Sequence, residues 1–456
     1  MAHWLNERIE SFNKRPFLSL KGETFTYTDL AHSTAKARTQ FMKAGIQAGD
    51  ITILIGDYTL AAIASLMALF ELKAMVAPIS IVAKNEKEQR IQASNAKWEI
   101  NTERGSSLGI LALHPITETH SFVSSLKKNN EAGLILFSSG STGNPKAMIH
   151  STERLLYAFK NKRPRTLNIL IFLLFDHIGG INTLFNALST GSLIVAPKNR
   201  DPETIAKAIQ QHKVKLLPAS PTFLNLFLIS GVQENYDLSS LRYITYGTEP
   251  MPESLLKRIK ENFPKTKLIQ TFGTSETGIS QTTSRSSTST LMKFDDPNTE
   301  YKIVKGELWL RSKSQILGYL NHEMSRFTND GWFKTGDLLE SAGKDEGEGY
   351  FRIVGRTQEI INVGGEKVTP SEIENILLEM PEIADCLVYG ESNAITGQIV
   401  ATEIVLKDEK NLNHMKRTIK KFCRSRLSSF KVPARIIFKD KTNFSNRFKK
   451  MRNIVS

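Results

Sequence analysis

Residues 136–151 read LFSSGSTGNPKAMIHS, a cluster of hydroxyls and glycines followed by one cation. The apolar run at 133–137 has the texture of a buried strand. Gly140, Gly143 and Pro145 cannot continue it, so a donor-rich loop must follow. Ser138, Ser139, Ser141 and Thr142 bring hydroxyls, the glycines allow close backbone approach, and Lys146 supplies a positive charge. A strand that opens into such a loop suggests a cradle for phosphate. It is not a Walker A loop, which needs Gly-Lys-Ser/Thr, because Lys146 follows Pro145. On its own the same stretch would serve as a solvated turn.

The elements around it must hold it in place. Residues 51–55 and 74–79 read as short apolar strands, and 60–72 has helical spacing. A helix opens near residues 25–30, with Thr28 or Asp29 near its N-cap. The rhythm resumes after the loop, with strands expected at 168–172, 192–195 and 215–217 and helices at 202–212 and 221–229. Alternation of this kind argues for an α/β fold with βαβ-type, largely parallel sheets. Residues 282–290 are rich in Ser and Thr and read as a surface loop. Beyond about 306 the texture changes to short, glycine-punctuated strands. A boundary near 355–357 then separates residues 1–355 from a smaller α+β module, 356–456. Within it a helix is expected at 371–379, a strand at 384–389 and a helix at 413–427.

At 456 residues the chain is too long for one core. Its most apolar stretch, 58–83, is interrupted by Glu71 and Lys73, so neither a membrane span nor a signal peptide is expected. Cys386 and Cys423 form no metal or redox spacing, and a reduced, cytoplasmic setting fits. The net charge is +14, and residues 407–456 carry 16 Lys/Arg against 3 Asp/Glu. The excess therefore sits in the C-terminal module. Aromatic residues are not interleaved with it as a single-strand binder requires, which argues against nucleic acid. An anionic small molecule or an acidic protein remains as partner.

Four segments in order along the chain resemble the adenylate-forming superfamily of acyl- and aryl-CoA synthetases, luciferases and peptide-synthetase adenylation domains. They are SSGSTGNPK at 138–146, FGTSETG at 272–278, GWFKTGD at 331–337, and Gly355-Arg356 followed by GGEKVTPSEIE at 364–374. The resemblance implies a large N-terminal domain and a small, mobile C-terminal domain hinged near 356–358, where Gln358 takes the hinge position. It also implies a reaction. A carboxylate attacks the α-phosphate of ATP, pyrophosphate leaves, and a thiol then displaces AMP from the acyl-adenylate.

The implied roles follow residue by residue. The phosphate loop runs from Ser138 to Lys146. Glu276 would hold Mg²⁺, and Ser275 would donate to the α-phosphate. Residues 271–275 (Thr271, Phe272, Gly273, Thr274, Ser275) and Gly247, Thr248 and Glu249 would border the nucleotide, with Gly247 leaving room for the adenine. Asp337 would accept the ribose hydroxyls, and Arg356 would reach ribose or phosphate. His177 would gate the acyl pocket, although a structural histidine fits there equally. Asp176 precedes it, one place from where amino-acid-activating relatives hold an aspartate. Gly364, Gly365 and Lys367 would face pantetheine. The C-terminal lysine that bridges carboxylate and α-phosphate falls on Lys449 in the register SNRFKKMR at 445–452, with Phe448 where the family has glycine. On its own Lys449 would be one more solvated cation in a basic tail; its neighbour Lys450 could mislead an alignment, and its loss should be much milder for adenylation than the loss of Lys449.

The expected function is an ATP-dependent acid–thiol ligase using ATP, Mg²⁺ and coenzyme A. Its acid would be aromatic or short- to medium-chain. A stand-alone adenylation enzyme that loads the phosphopantetheine of a separate acidic carrier protein is the alternative. A non-catalytic nucleotide-binding protein fits less well, and a luciferase-like oxygenase less still.

Overall fold

The computed structural model describes residues 3–80, 84–103, 108–114, 118–139, 144–343, 347–408, 411–442, 444–445 and 449–452. Two seven-stranded sheets dominate the large N-terminal part. In the first, Lys267–Gln270, Tyr243–Tyr246, Leu216–Ala219, Asn168–Leu170, Leu193–Ala196 and Pro16–Leu20 lie parallel in that order, and Glu23–Thr26 is antiparallel at the edge. In the second, Trp98–Asn101, Ile51–Ile55, Met75–Ile79 and Gly133–Ser139 are parallel, and Pro145–Ser151 returns antiparallel to Gly133–Ser139.

Helices Leu60–Glu71 and Ile178–Thr190 are apolar and buried on nearly every side. A helix of that kind must sit inside a core. Both share one hydrophobic cluster with Phe17, Ile169 and Ile194 of the first sheet and Leu54, Val76 and Leu134 of the second. Helices Pro202–His212, Pro221–Ile229 and Glu253–Asn262 cover the other face of the first sheet. Their boundaries are set by caps: Asp201 and Ser220 accept from the backbone of Thr204 and Phe223, each followed by proline at the first helical position. The N-cap of Tyr27–Ala44 is Thr26, not Thr28 or Asp29. Asp29 closes a capping box back onto Thr26.

A third, antiparallel sheet of six strands follows. Its edge strand Thr282–Ser284 pairs with Met292–Phe294, so the expected loop at 282–290 begins as a strand. Its inner strands Phe333–Ser341 and Phe351–Arg356 are paired so that Asp337 faces Arg356. Residues 361–438 then build a separate five-stranded sheet with its own core around Ile373, Val388, Ile404 and Ile419. Helices Pro370–Leu377 and Leu412–Arg424 flank this small domain.

Candidate active site

The carboxyl ends of the first sheet's strands open onto a cleft of about 560 Å³. Ligands of open parallel sheets bind at such ends. Ala219, Thr245 and Gln270 close the strands there, and the segments that follow them, 247–250 and 271–276, form the floor. The antiparallel sheet adds Asp337 and Arg356, the second sheet adds Ser138 and Lys146, and the C-terminal segment adds Lys449. Residues more than 300 apart in sequence thus meet in one cavity.

Asp337 carries the clearest chemistry. Its Oδ1 accepts from Arg356 Nε at 2.9 Å. Its Oδ2 is buried and has no hydrogen-bond partner among the described residues. Burial pushes its pKa up, opposed by the positive charges of Arg356, Arg326 and Lys449. Arg356 is held above its ordinary value, chiefly by Asp337. Two more buried acceptors in the cleft wall, Thr248 Oγ1 and Gln270 Oε1, have no partner among the described residues. Orphaned polar atoms are costly unless a ligand meets them. A ribose and a base bring the hydroxyl and amine donors that would do so.

Glu276 sits on the tip between the short strands Phe272–Thr274 and Gly278–Ser280, and Oε1 accepts from Tyr319 at 3.2 Å. Burial raises the pKa of the Tyr319 hydroxyl, reinforced by Glu276, so it stays a donor. Lys146 Nζ lies 2.7 Å from His322 Nε2. Thr274 Oγ1 accepts the Thr277 N–H and so shapes the tip itself. Ser275 lines the cleft beside it. Gly140, Ser141, Thr142 and Gly143 lie outside the described residues, as does the side chain of Ser139.

The other expected residues have contacts of their own. Gly247 is glycine because the chain crosses it closely: a Cβ there would stand 2.5 Å from the Thr271 carbonyl oxygen. Backbone crosses on that side, and Gly247 itself lines the cleft. Thr248 beside it is left-handed at φ 76°. Glu249 is a tie between domains as well as a wall of the cleft. Its carboxylate accepts the Thr222 N–H at 3.1 Å and the Lys450 N–H at 3.2 Å, and burial raises its pKa. His177 lines the cleft, and its Nδ1 accepts from Gly179 N at 3.2 Å, capping helix Ile178–Thr190. Asp176 is buried against Arg90 at 3.0 Å and is not among the residues lining the cleft. Gly364, Gly365 and Lys367 do not reach the cleft. The two glycines, with φ 60° and 92°, form the exposed turn of a hairpin.

Lys450, the neighbour set aside in favour of Lys449, has a side chain that is 11% exposed and lies 3.3 Å from Asp385 and 3.8 Å from Glu374. Tyr319, His322 and Arg326 were absent from the expected set. The short strand Gly318–Tyr319 reaches the site by pairing with Met148 and Ile149, some 170 residues earlier, so no local pattern marks it.

A family model described as "AMP-binding enzyme" matches residues 5–320, and the C-terminal domain of the same enzymes matches 372–449. A 2-succinylbenzoate–CoA ligase of Bacillus licheniformis is 25% identical over 98% of both chains. An indoleacetate–CoA ligase of Aromatoleum aromaticum is 29% identical, over 67% of this chain and 63% of its own length. Among solved structures, an anthranilate–CoA ligase bound to anthranoyl-AMP superimposes with a TM-score of 0.81 at 19% identity, covering 98% of this chain and 95% of that one. The o-succinylbenzoate–CoA synthetase of Bacillus subtilis gives 0.76 at 21%, covering 100% and 98%. Fold, family models and relatives spanning both domains agree, and the chain belongs to the AMP-binding enzymes of the adenylate-forming superfamily.

Proposed function

We propose that the protein is an ATP-dependent acid–thiol ligase that joins a carboxylic acid to coenzyme A through an acyl-adenylate. The observation that supports this most is the convergence of Lys146, Glu276, Asp337, Arg356 and Lys449 on a single cleft. Two anions, a carboxylate and a triphosphate, must meet, so charge has to be neutralised where it develops. Lys146 would face the β- and γ-phosphates. Lys449 would bridge the acid's carboxylate and the α-phosphate in the transition state. Asp337 Oδ2 would accept from ribose, with Arg356 fixing that carboxylate. Glu276 would hold Mg²⁺, which spreads the negative charge of the phosphates when bound. The acyl-adenylate forms as pyrophosphate leaves, and the thiol of coenzyme A then displaces AMP.

The acid would occupy the end of the cleft lined by Leu173, His177, Ile178, Asn182, Thr183 and Ile279. A smaller apolar cavity shares Ile178, Asn182 and Ile279 with it and continues to Phe159 and Phe185. The Asn182 carboxamide lies on this shared wall. An aromatic or short- to medium-chain acid with a hydrogen-bonding substituent fits this wall.

The domain boundary would be a hinge at 356–358, and rotation about it would carry Gly364, Gly365 and Lys367 toward the thiol. The alternative acceptor, an acidic carrier protein, is favoured by one feature. Helix Leu412–Arg424 has no acidic residue and exposes Lys416, Arg417, Lys421 and Arg424. Pyrophosphate release from Mg-ATP, measured with a panel of acids, tests the first half of the reaction. Release that depends on one acid and is lost in Lys449→Ala is expected; ATP turnover indifferent to every acid would contradict the proposal.

A further inference from the structure

The residue beside Lys449 is held by a network that a spare surface cation would not have. Lys450 Nζ donates to the Cys386 carbonyl at 2.5 Å and pairs with Asp385 and Glu374, whose side chains are only 5% and 6% exposed. Burial works against the ammonium charge, but Asp385 and Glu374 outweigh it and hold its pKa above the usual lysine value. Two residues on, Arg452 grips Glu374 at 2.9 Å, Glu359 at 3.1 Å and the Val388 carbonyl at 3.1 Å. On the other arm, the Thr442 hydroxyl donates to the second oxygen of the same Asp385. Between the arms Phe444 and Lys450 form an antiparallel bridge, and Ser445 N donates to the Lys449 carbonyl at 2.9 Å.

Adjacent side chains of an extended segment point to opposite sides. With Lys450 drawn down onto Asp385, Lys449 must turn outward, and outward is the nucleotide cleft. The Lys450 peptide N–H adds a second constraint by donating across to Glu249 of the large domain. We infer that Lys450 is a positioning residue: its buried pairing with Asp385 aims Lys449 at the nucleotide, and its N–H to Glu249 seats the small domain while it does so. This rests on the role proposed for Lys449.

The test reads Lys449 directly and needs no acid. Folded protein is lightly acetylated with acetic anhydride, with and without Mg-ATP, and Lys449 is quantified by peptide mass spectrometry. In the unmodified protein Mg-ATP should protect Lys449 by about tenfold, as expected for a group held against the ligand. Lys450→Met should abolish that protection while Mg-ATP still binds, and Lys450→Arg should restore most of it. Thr442→Val, which leaves the buried charges in place, should reduce protection and serves if Lys450→Met does not fold. Full protection in Lys450→Met, or in Thr442→Val where that variant stands in, would overturn the positioning role. Absence of protection in the unmodified protein would instead remove the role proposed for Lys449, and the positioning role with it.

Discussion

In the proposed reaction Asp337 and Lys449 would take two separate tasks. Asp337 has one oxygen committed to Arg356 and one left over, so Asp337→Ala would remove the proposed ribose contact and also strand Arg356. Mg-ATP affinity should fall by about 1.5–3 kcal/mol, the worth of a hydrogen bond to a charged group. Calorimetric titration would show it, and an unchanged dissociation constant would place the ribose elsewhere. Lys449→Ala should lower pyrophosphate release by roughly two to three powers of ten, the usual cost of losing a group that stabilises developing charge. Thioester formation from a supplied acyl-adenylate should survive; equal loss of both steps would reject the bridging role. Much of this was legible because motif residues announce their chemistry by type and spacing. The surroundings of Lys450 were not, because nothing in a tail with 16 cations marks one neighbour of Lys449 as buried, and only the fold brings Asp385 and Glu374 beneath it. Its replacement by alanine takes the paired ammonium from buried Asp385, while Arg452 still holds Glu374, and should lower stability by about 3–5 kcal/mol, the cost of breaking a buried ion pair.

At the scale of elements, strands and helices with strong apolar periodicity were read within a residue or two, as at Ile51–Ile55, Pro202–His212 and Pro221–Ile229. Strand Thr282–Ser284 was missed because it has no apolar residue. Side-chain hydroxyls hold it instead: Thr282 Oγ1 donates to the Gln270 carbonyl at 2.6 Å, and Ser284 Oγ accepts the Gln270 N–H at 2.7 Å. Strand Pro145–Ser151 carries His150, fully buried beneath the Glu276 tip. Burial pushes its pKa down to about 4, and the backbone of Ser314 and Ser275 offsets this only in part. A histidine charged more easily in the unfolded chain stabilises the fold above pH 6.5, and that stability is lost as pH falls toward 4. The loss should reach about 3 kcal/mol. Urea unfolding at pH 7 and pH 4.5 should show a smaller drop in His150→Leu than in the unmodified protein; identical drops would mean that His150 does not enter the fold neutral. On helix Ile178–Thr190, Asn182→Leu should shift selectivity from polar-substituted toward unsubstituted aryl acids by about tenfold, because the wall then lacks the carboxamide that would reward the substituent. Unchanged kcat/KM ratios across such a pair would free Asn182 of any part in selection.

Across the whole molecule, the cleft is assembled from three sheets and the C-terminal segment, and this assembly could not be seen in any window of sequence. Order and spacing of motifs implied it, but distances such as that from Lys146 to His322 came only with the fold. The small domain presents Lys449 to the cleft while Gly364, Gly365 and Lys367 stand exposed on its hairpin. The two half-reactions should therefore depend on different faces of this domain. Lys367→Glu should leave pyrophosphate release intact and slow only the coenzyme A step, increasingly so at low salt where charge repulsion is unscreened. Equal slowing of both steps would contradict that division. The most direct measurement is product analysis by mass spectrometry: purified protein, Mg-ATP and a panel of aromatic, aliphatic and amino acids, with and without coenzyme A. A new acyl-CoA, formed with release of AMP and pyrophosphate, is the expected result. Acyl-AMP accumulating with no thioester in the presence of coenzyme A would contradict ligation to coenzyme A and turn attention to a carrier protein.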